Sequence, residues 1–181
     1  MVWSCGDTDL GYGPPHGEAQ GREEAPIFSN ILLPLDGSDL GEKALPTAVN
    51  LAKTFNATLH LIQVISRHVE IEGSSAGIGM SPGALELERD LARNLVEVRL
   101  SRGRQYLDGI AAQLETSGLT VKTTLAEGAA DENIVDYAKN NDIDLITMSR
   151  HGYSGLKRFF MGSVTDRVIR NGDTPVLVLP G

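Results

Sequence analysis

From residue 28 onward, short apolar runs alternate with longer stretches whose apolar residues recur at three- and four-residue steps. The first run, Ile31-Leu32-Leu33-Pro34-Leu35-Asp36, has the continuous hydrophobicity of a strand buried on both faces of a parallel sheet. Pro34 has no amide proton to give a neighbouring strand and implies an irregular or edge-like position near the run's end. Asp36-Gly37-Ser38 then turns the chain. Between Glu42 and Phe55, the residues Ala44, Leu45, Ala48, Val49, Ala52 and Phe55 share one helical face. Pro46 requires that helix to begin close before it or to bend there, and Asn56 is a suitable stop.

A second strand is predicted over Thr58 to Ile65. The glycine- and serine-rich stretch from Gly73 to Gly83 opposes regular structure and reads as a loop or flap. Ala84 to Thr116 reads as one long helix, with Glu86, Glu88 and Asp90 near its positive end. Its apolar line passes through Leu91, Leu95 and Val98, then Leu107, Ile110 and Leu114, with Gly103 as a point of interruption. Leu119 to Ala126 gives a third strand, Asp131 to Asn141 a helix facing inward through Ile134, Val135 and Ala138, and Asp144 to Met148 a fourth strand. Ser163 to Asn171 is the last helix, ended by Gly172, and Thr174 to Leu179 the fifth strand. Strands separated by helices predict an α/β fold: a doubly wound, five-stranded parallel sheet with right-handed crossovers, in the order 3-2-1-4-5.

Composition narrows the function. The chain has 181 residues, 41% of them apolar, enough for one substantial core. Residues 1–27, rich in glycine and proline, read as a disordered tail ahead of one domain over 28–181. The net charge is -8, and Asp7, Asp9, Glu18, Glu23 and Glu24 against Arg22 place half of that excess before residue 30. With no concentrated basic face, nucleic acid is a poor partner. Cys5 is the only cysteine, the start lacks a basic segment followed by an apolar run, and no stretch is long enough to span a bilayer. These features predict a cytoplasmic protein without membrane insertion.

The chemistry concentrates after the fourth strand. Ser149-Arg150-His151-Gly152 leaves the strand, nine residues follow, and Gly162-Ser163-Val164-Thr165-Asp166 opens a helix. Glycines allow tight turns there, and a new helix offers unpaired amides and a positive dipole end to an anion such as a phosphate. In the expected strand order Asp36 would face this loop across the crevice at the strands' carboxyl ends, where its carboxylate could accept from ribose hydroxyls or an adenine amino group. Each group also has a simpler use. Asp36 could make an Asx-turn, and Ser163 with Asp166 fits a capping box. His151 could simply be solvated, and Met148 could fill core. Arg150, Lys157 and Arg158 could screen phosphate charge, whereas Lys157-Arg158 beside Phe159-Phe160 suits a surface or partner contact equally. His16, His60 and His68 have no metal-ligand spacing and read as structural or incidental. Neither a nucleophile elbow, a Walker loop nor a dinucleotide fingerprint is present, so binding outranks catalysis.

Leu33-Pro34-Leu35-Asp36-Gly37-Ser38, Met148-Ser149-Arg150-His151-Gly152 and Gly162-Ser163-Val164-Thr165 together resemble the ATP-binding members of the universal stress protein family, over about Phe28 to Leu179. The most specific element is that family's pattern of glycine, two residues, glycine, nine residues, glycine and serine or threonine, met at Gly152, Gly162 and Ser163 with Ser149 in place of the first glycine. The resemblance implies a Rossmann-like fold of the adenine nucleotide alpha hydrolase type. It also implies ATP, with Mg2+, as ligand. Asp36 and the backbone near Pro34, Leu35 and Val64 would hold adenine or ribose, Met148 would border the nucleoside, and Ser149, His151, Gly152, Gly162, Ser163, Val164 and Thr165 would surround the phosphates. It further implies a homodimer through the C-terminal strand, where Val176-Leu177-Val178-Leu179 is an apolar edge. The function expected is a nucleotide-dependent stress-response or signalling module. The alternatives are a slow ATPase or nucleotidyl-transferring enzyme, or a nucleotide-free dimeric scaffold.

Overall fold

In the computed structural model, which describes residues 27–66, 82–150 and 162–180, five strands form one parallel sheet in the order β3-β2-β1-β4-β5. These are β1 (Asn30–Pro34), β2 (Thr58–Ile65), β3 (Val121–Glu127), β4 (Leu145–Ser149) and β5 (Val176–Leu179). The helices are α1 (Asp39–Glu42), α2 (Leu45–Phe55), α3 (Pro82–Glu115), α4 (Ala130–Asn140) and α5 (Ser163–Asn171). The expected architecture and strand order are both present. The proposed tail up to residue 26 and the loop from 67 to 81 lie outside the described residues.

Side-chain alternation along the strands builds two cores from one sheet. Ile31, Leu33, Leu59, Leu61 and Leu145 point to one face, where they meet Ala44, Ala48 and Ala52 from the α2 side and Leu107 of α3. Leu32, Ile62, Ile146 and Met148 point to the other, against Ile134 and Ala138 of α4 and Val168 of α5. Helices on both faces explain why the central strands lack polar alternation.

Several local expectations change. The predicted helix from Glu42 is two helices, and α2 begins just ahead of Pro46, where a missing amide proton costs no intrahelical bond. Asn56 stops α2 in the left-handed region, at φ 52°. Pro34 closes a central strand rather than an edge: β1 lies between β2 and β4, and the next amide, that of Leu35, resumes the ladder by donating to Ile62 O at 2.8 Å. Gly103 does not interrupt α3. A Cβ there would stand 2.8 Å from Gln63 Oε1 and 2.9 Å from Leu125 Cδ1, so glycine lets the helix approach the sheet. The apolar line of α3 is also divided, with Leu107, Ile110 and Leu114 in the core and Leu91, Leu95 and Val98 exposed.

Candidate functional site

Parallel strands deliver their carboxyl ends to one side of the sheet, and β1 and β4 carry their connections away in opposite directions. A cleft of about 370 Å³ opens there. Pro34, Leu35, Asp36, Val64, Met148, Ser149, Gly162, Ser163, Val164 and Thr165 line it, which are ten of the twelve residues singled out from the sequence. The other two, His151 and Gly152, lie outside the described residues, as do Lys157 and Arg158. Arg150 is not among the lining residues, and its amide donates to Leu179 O at 2.8 Å.

The Asp36 corner is built from short polar contacts. Asp36 Oδ1 accepts from the Ser38 amide at 3.0 Å and from Ser38 Oγ at 2.7 Å, and Ser38 Oγ accepts from the Gly41 amide at 3.0 Å. The Asx-turn reading and the cleft position therefore hold together. A Cβ on Gly41 would come within 2.5 Å of Asp36 Oδ1, so glycine at 41 is needed for the carboxylate to sit where it does. Behind this corner the Tyr106 hydroxyl donates to Glu42 Oε1 at 2.9 Å, tying α3 to α1. Burial first, and then the Glu42 contact, push the Tyr106 phenol well above its ordinary pKa.

Across the cleft, α5 starts differently from the capping-box reading. Gly162 is the N-cap and no side chain caps the helix, while Asp166 instead meets Arg170 at 2.9 Å. Ser163 is already inside the first turn, so its hydroxyl cannot occupy the N-cap position. The Asp166 amide donates to Gly162 O at 2.9 Å, which leaves the amides of Ser163, Val164 and Thr165 ahead of the helical ladder, and all three residues line the cleft. Ser149 is the buried last residue of β4 and is not among the positive-φ residues, so serine replaces glycine there without backbone strain.

Sequence reasoning missed Gly41, Ile62, Ala130 and Ile134, which also line the cleft. Ala130 matters most. It opens α4, whose N-cap Ala129 provides no side-chain cap, and the first ladder bond runs from the Asn133 amide to Ala129 O at 3.1 Å. Two helix starts therefore reach one cleft. The signal was available in Gly128-Ala129-Ala130-Asp131, a strand-to-helix turn of small residues. Asp131, with Arg167 of α5 at 3.6 Å from its Oδ1, links the two helices beside the opening.

Ile62, Val64, Ile134, Leu35 and Met148 make one part of the lining apolar, while hydroxyls, amides and Asp36 make the rest polar. Such a cleft suits a ligand with a flat apolar portion and an anionic portion. Asp36 is the only ionisable side chain among the described lining residues, so amides rather than cations would meet the anion there. Among the described residues, no group of three His, Cys, Asp or Glu side chains could hold a metal ion. Nor is any described helix long and apolar enough to cross a membrane.

Known proteins resemble this chain in sequence and fold. A sequence profile of the universal stress protein family matches residues 28–180. Universal stress protein MJ0531 of Methanocaldococcus jannaschii is 32% identical over 154 residues, covering 84% of this chain and 82% of that protein. Universal stress protein YxiE of Bacillus subtilis is 33% identical over 153 residues, covering 84% and 99%. Among solved structures, that of MJ0577, a universal stress protein of Methanocaldococcus jannaschii, superposes with a TM-score of 0.67 at 26% identity, covering 86% of this chain and 97% of that one.

Proposed function

The chain belongs to the universal stress protein family of stress-response proteins, and from that premise we propose that it binds ATP in the cleft at the strands' carboxyl ends. The observation that carries the reading is the convergence of the Asp36 corner and the amides of Ser163, Val164 and Thr165 on one cleft with an apolar wall. In this reading the base lies against Val64, Ile62 and Met148, Asp36 meets the ribose, and the phosphates approach the α5 amides and the Ser163 hydroxyl. Mg2+ arrives on the phosphates, which normally supply much of its coordination alongside water.

Nucleotide occupancy then acts as the signal: an ordered phosphate end changes the surface offered to a partner or to a second copy. The protein is a cytoplasmic homodimer paired through β5, whose Val176 to Leu179 are half-buried and whose described pairing is with β4 alone. We read it as a sensor rather than an enzyme, and steady phosphate release from purified protein would favour the enzyme instead.

Mass spectrometry of freshly purified, denatured protein tests this directly. Adenine nucleotide at close to one equivalent is expected, or else stoichiometric uptake of ATP-Mg by the emptied protein. Protein that releases no nucleotide and takes up none at millimolar ATP removes the reading.

A further inference from the structure

The Asp36 corner stands on a short base. Helix α1 is a single turn of four residues, too short to hold its shape alone in water, and Gly41 is its one buried residue. The bond from the Glu42 amide to Ser38 O at 3.1 Å, and those from the Lys43 and Ala44 amides at 3.3 Å, are local to the turn. They shape it without fixing it against the rest of the protein. Asp36 nevertheless takes its place from that turn: its Oδ1 accepts from the Ser38 amide and hydroxyl, and the Ser38 hydroxyl accepts from the Gly41 amide. A shift of α1 by about 1 Å therefore moves the carboxylate or breaks one of these contacts.

Two contacts from α3 hold the corner from behind. The half-buried Tyr106 donates its hydroxyl to Glu42 Oε1 at 2.9 Å, across 64 residues of chain. One helical turn earlier, a Cβ on Gly103 would stand 2.8 Å from Gln63 Oε1, and a Cβ on Gly37 would stand 3.4 Å from Gln63 Nε2. The Gln63 carboxamide thus lies between α3 and the turn that follows Asp36. Gln63 Oε1 is buried and makes no hydrogen bond among the described residues, so this second contact is packing alone and the Tyr106 hydroxyl supplies the directional tie. Burial and the neighbouring Glu42 hold the phenol protonated well above its ordinary range, which keeps it a donor at physiological pH.

We propose that Tyr106 is a positioning residue for the cleft: through Glu42 it fixes α1, and α1 aims the Asp36 carboxylate at the hydroxyls of the ligand's ribose. The ligand in this statement rests on the ATP reading above. No described residue of α3 lines the cleft, so the helix acts on ligand selectivity only through this tie. A site residue held by a neighbour that never touches the ligand keeps its geometry only while that neighbour is in place.

Two readouts on the full chain test the proposal, the first without ligand. Hydrogen exchange followed by NMR should find the Ser38 and Gly41 amides exchanging at least about threefold faster in Tyr106→Phe, with Leu33 of β1 at its wild-type rate. Glu42→Leu should do the same, whereas Glu42→Gln, which keeps an acceptor for the phenol, should not. Combining Tyr106→Phe with Glu42→Leu should be no worse than either change alone. Calorimetry then compares ATP with its 2′,3′-dideoxy analogue. Wild type should prefer ATP about tenfold, as for a hydrogen bond to a carboxylate, and Tyr106→Phe should cut that ratio to about threefold or less, a change of selectivity that loss of stability does not produce. Wild-type exchange at Ser38 and Gly41 in Tyr106→Phe, or an undiminished ratio, overturns the proposal. Wild-type protein that binds no ATP removes the ligand reading, and the exchange rates then decide the positioning role by themselves.

Discussion

The two ends of the sheet use similar residue types for opposite purposes. At the amino end, Asp144 Oδ2 accepts from the amides of Ser29 and Asn30 at 2.6 and 2.9 Å, and the Asn30 side chain donates to Asp142 O at 3.3 Å. Asn30 Oδ1 lies 3.1 Å from His60 Nε2, while His60 Nδ1 lies 2.9 Å from the Tyr137 hydroxyl. With the amide oriented this way, His60 donates through Nε2 and accepts at Nδ1, which is a neutral imidazole. Its polar groups are spent on one another. At the carboxyl end, two helices begin without side-chain caps beside a cleft, and their leading amides precede the ladder. The comparison teaches that polarity alone does not mark a site; donors left ahead of their own secondary structure, beside a cavity, do.

Gly162→Asp should separate the two ends most sharply. An N-cap aspartate would accept from the α5 amides and place a negative charge where phosphate would lie. Calorimetry should show ATP affinity lowered at least about 100-fold, the equivalent of one or two charge-assisted hydrogen bonds, with the melting temperature kept within about 2 °C. A variant that binds as wild type does would detach the ligand from α5.

The amino end should respond to acid instead. Burial first, and then the nearby Lys122 charge, lower the His60 pKa from 6.5 to about 4. Above pH 6.5 the ring is neutral whether the chain is folded or not; between there and about pH 4 the unfolded chain gains a proton that the folded chain resists. Denaturant titrations should therefore find stability falling by roughly 2–3 kcal/mol across that interval. His60→Gln should flatten this dependence, and an unchanged slope would show that other groups set it.

Tyr137→Phe removes the donor to His60 Nδ1 and should cost about 1–2 kcal/mol of stability. ATP affinity should not move, since the contact is remote from the cleft. A smaller effect is expected from Gly41→Ala, whose new methyl would displace Asp36: about a tenfold loss of ATP affinity with melting lowered by only a few degrees. Equal affinity in that variant would mean that the position of Asp36 is not used by the ligand.

Much of this contrast was legible in the sequence, and its gaps have physical reasons. Strands buried on both faces announce themselves by unbroken apolar runs such as Ile31-Leu32-Leu33, and a doubly wound order follows from alternating strands and helices. Asp36 and Gly162-Ser163 could be marked because strand ends and helix starts are readable. Ala130 and Ile134 were missed because their approach to the cleft depends on how α4 crosses the sheet, which no local pattern records. Gly103 looked like a break because propensity penalises glycine in a helix, whereas close packing against Gln63 and Leu125 requires it. The bounds of α5 were read correctly, but Ser163 looked like a cap because serine favours that position, whereas Gly162 takes it and Ser163 is the first helical residue. The line from Leu91 to Val98 was periodic, and periodicity says that residues share a face without saying what covers it.

The central claim is that the amides leading α5 and α4, and not the polar network at the opposite end, receive the ligand. Titrating ATP-Mg into isotopically labelled protein and following backbone amide resonances tests it most directly. The account predicts large, saturable shifts at Ser163, Val164, Thr165 and Ala130, with Asn30, His60 and Tyr137 unmoved. Shifts centred on the amino end, or none at millimolar ATP, would contradict it.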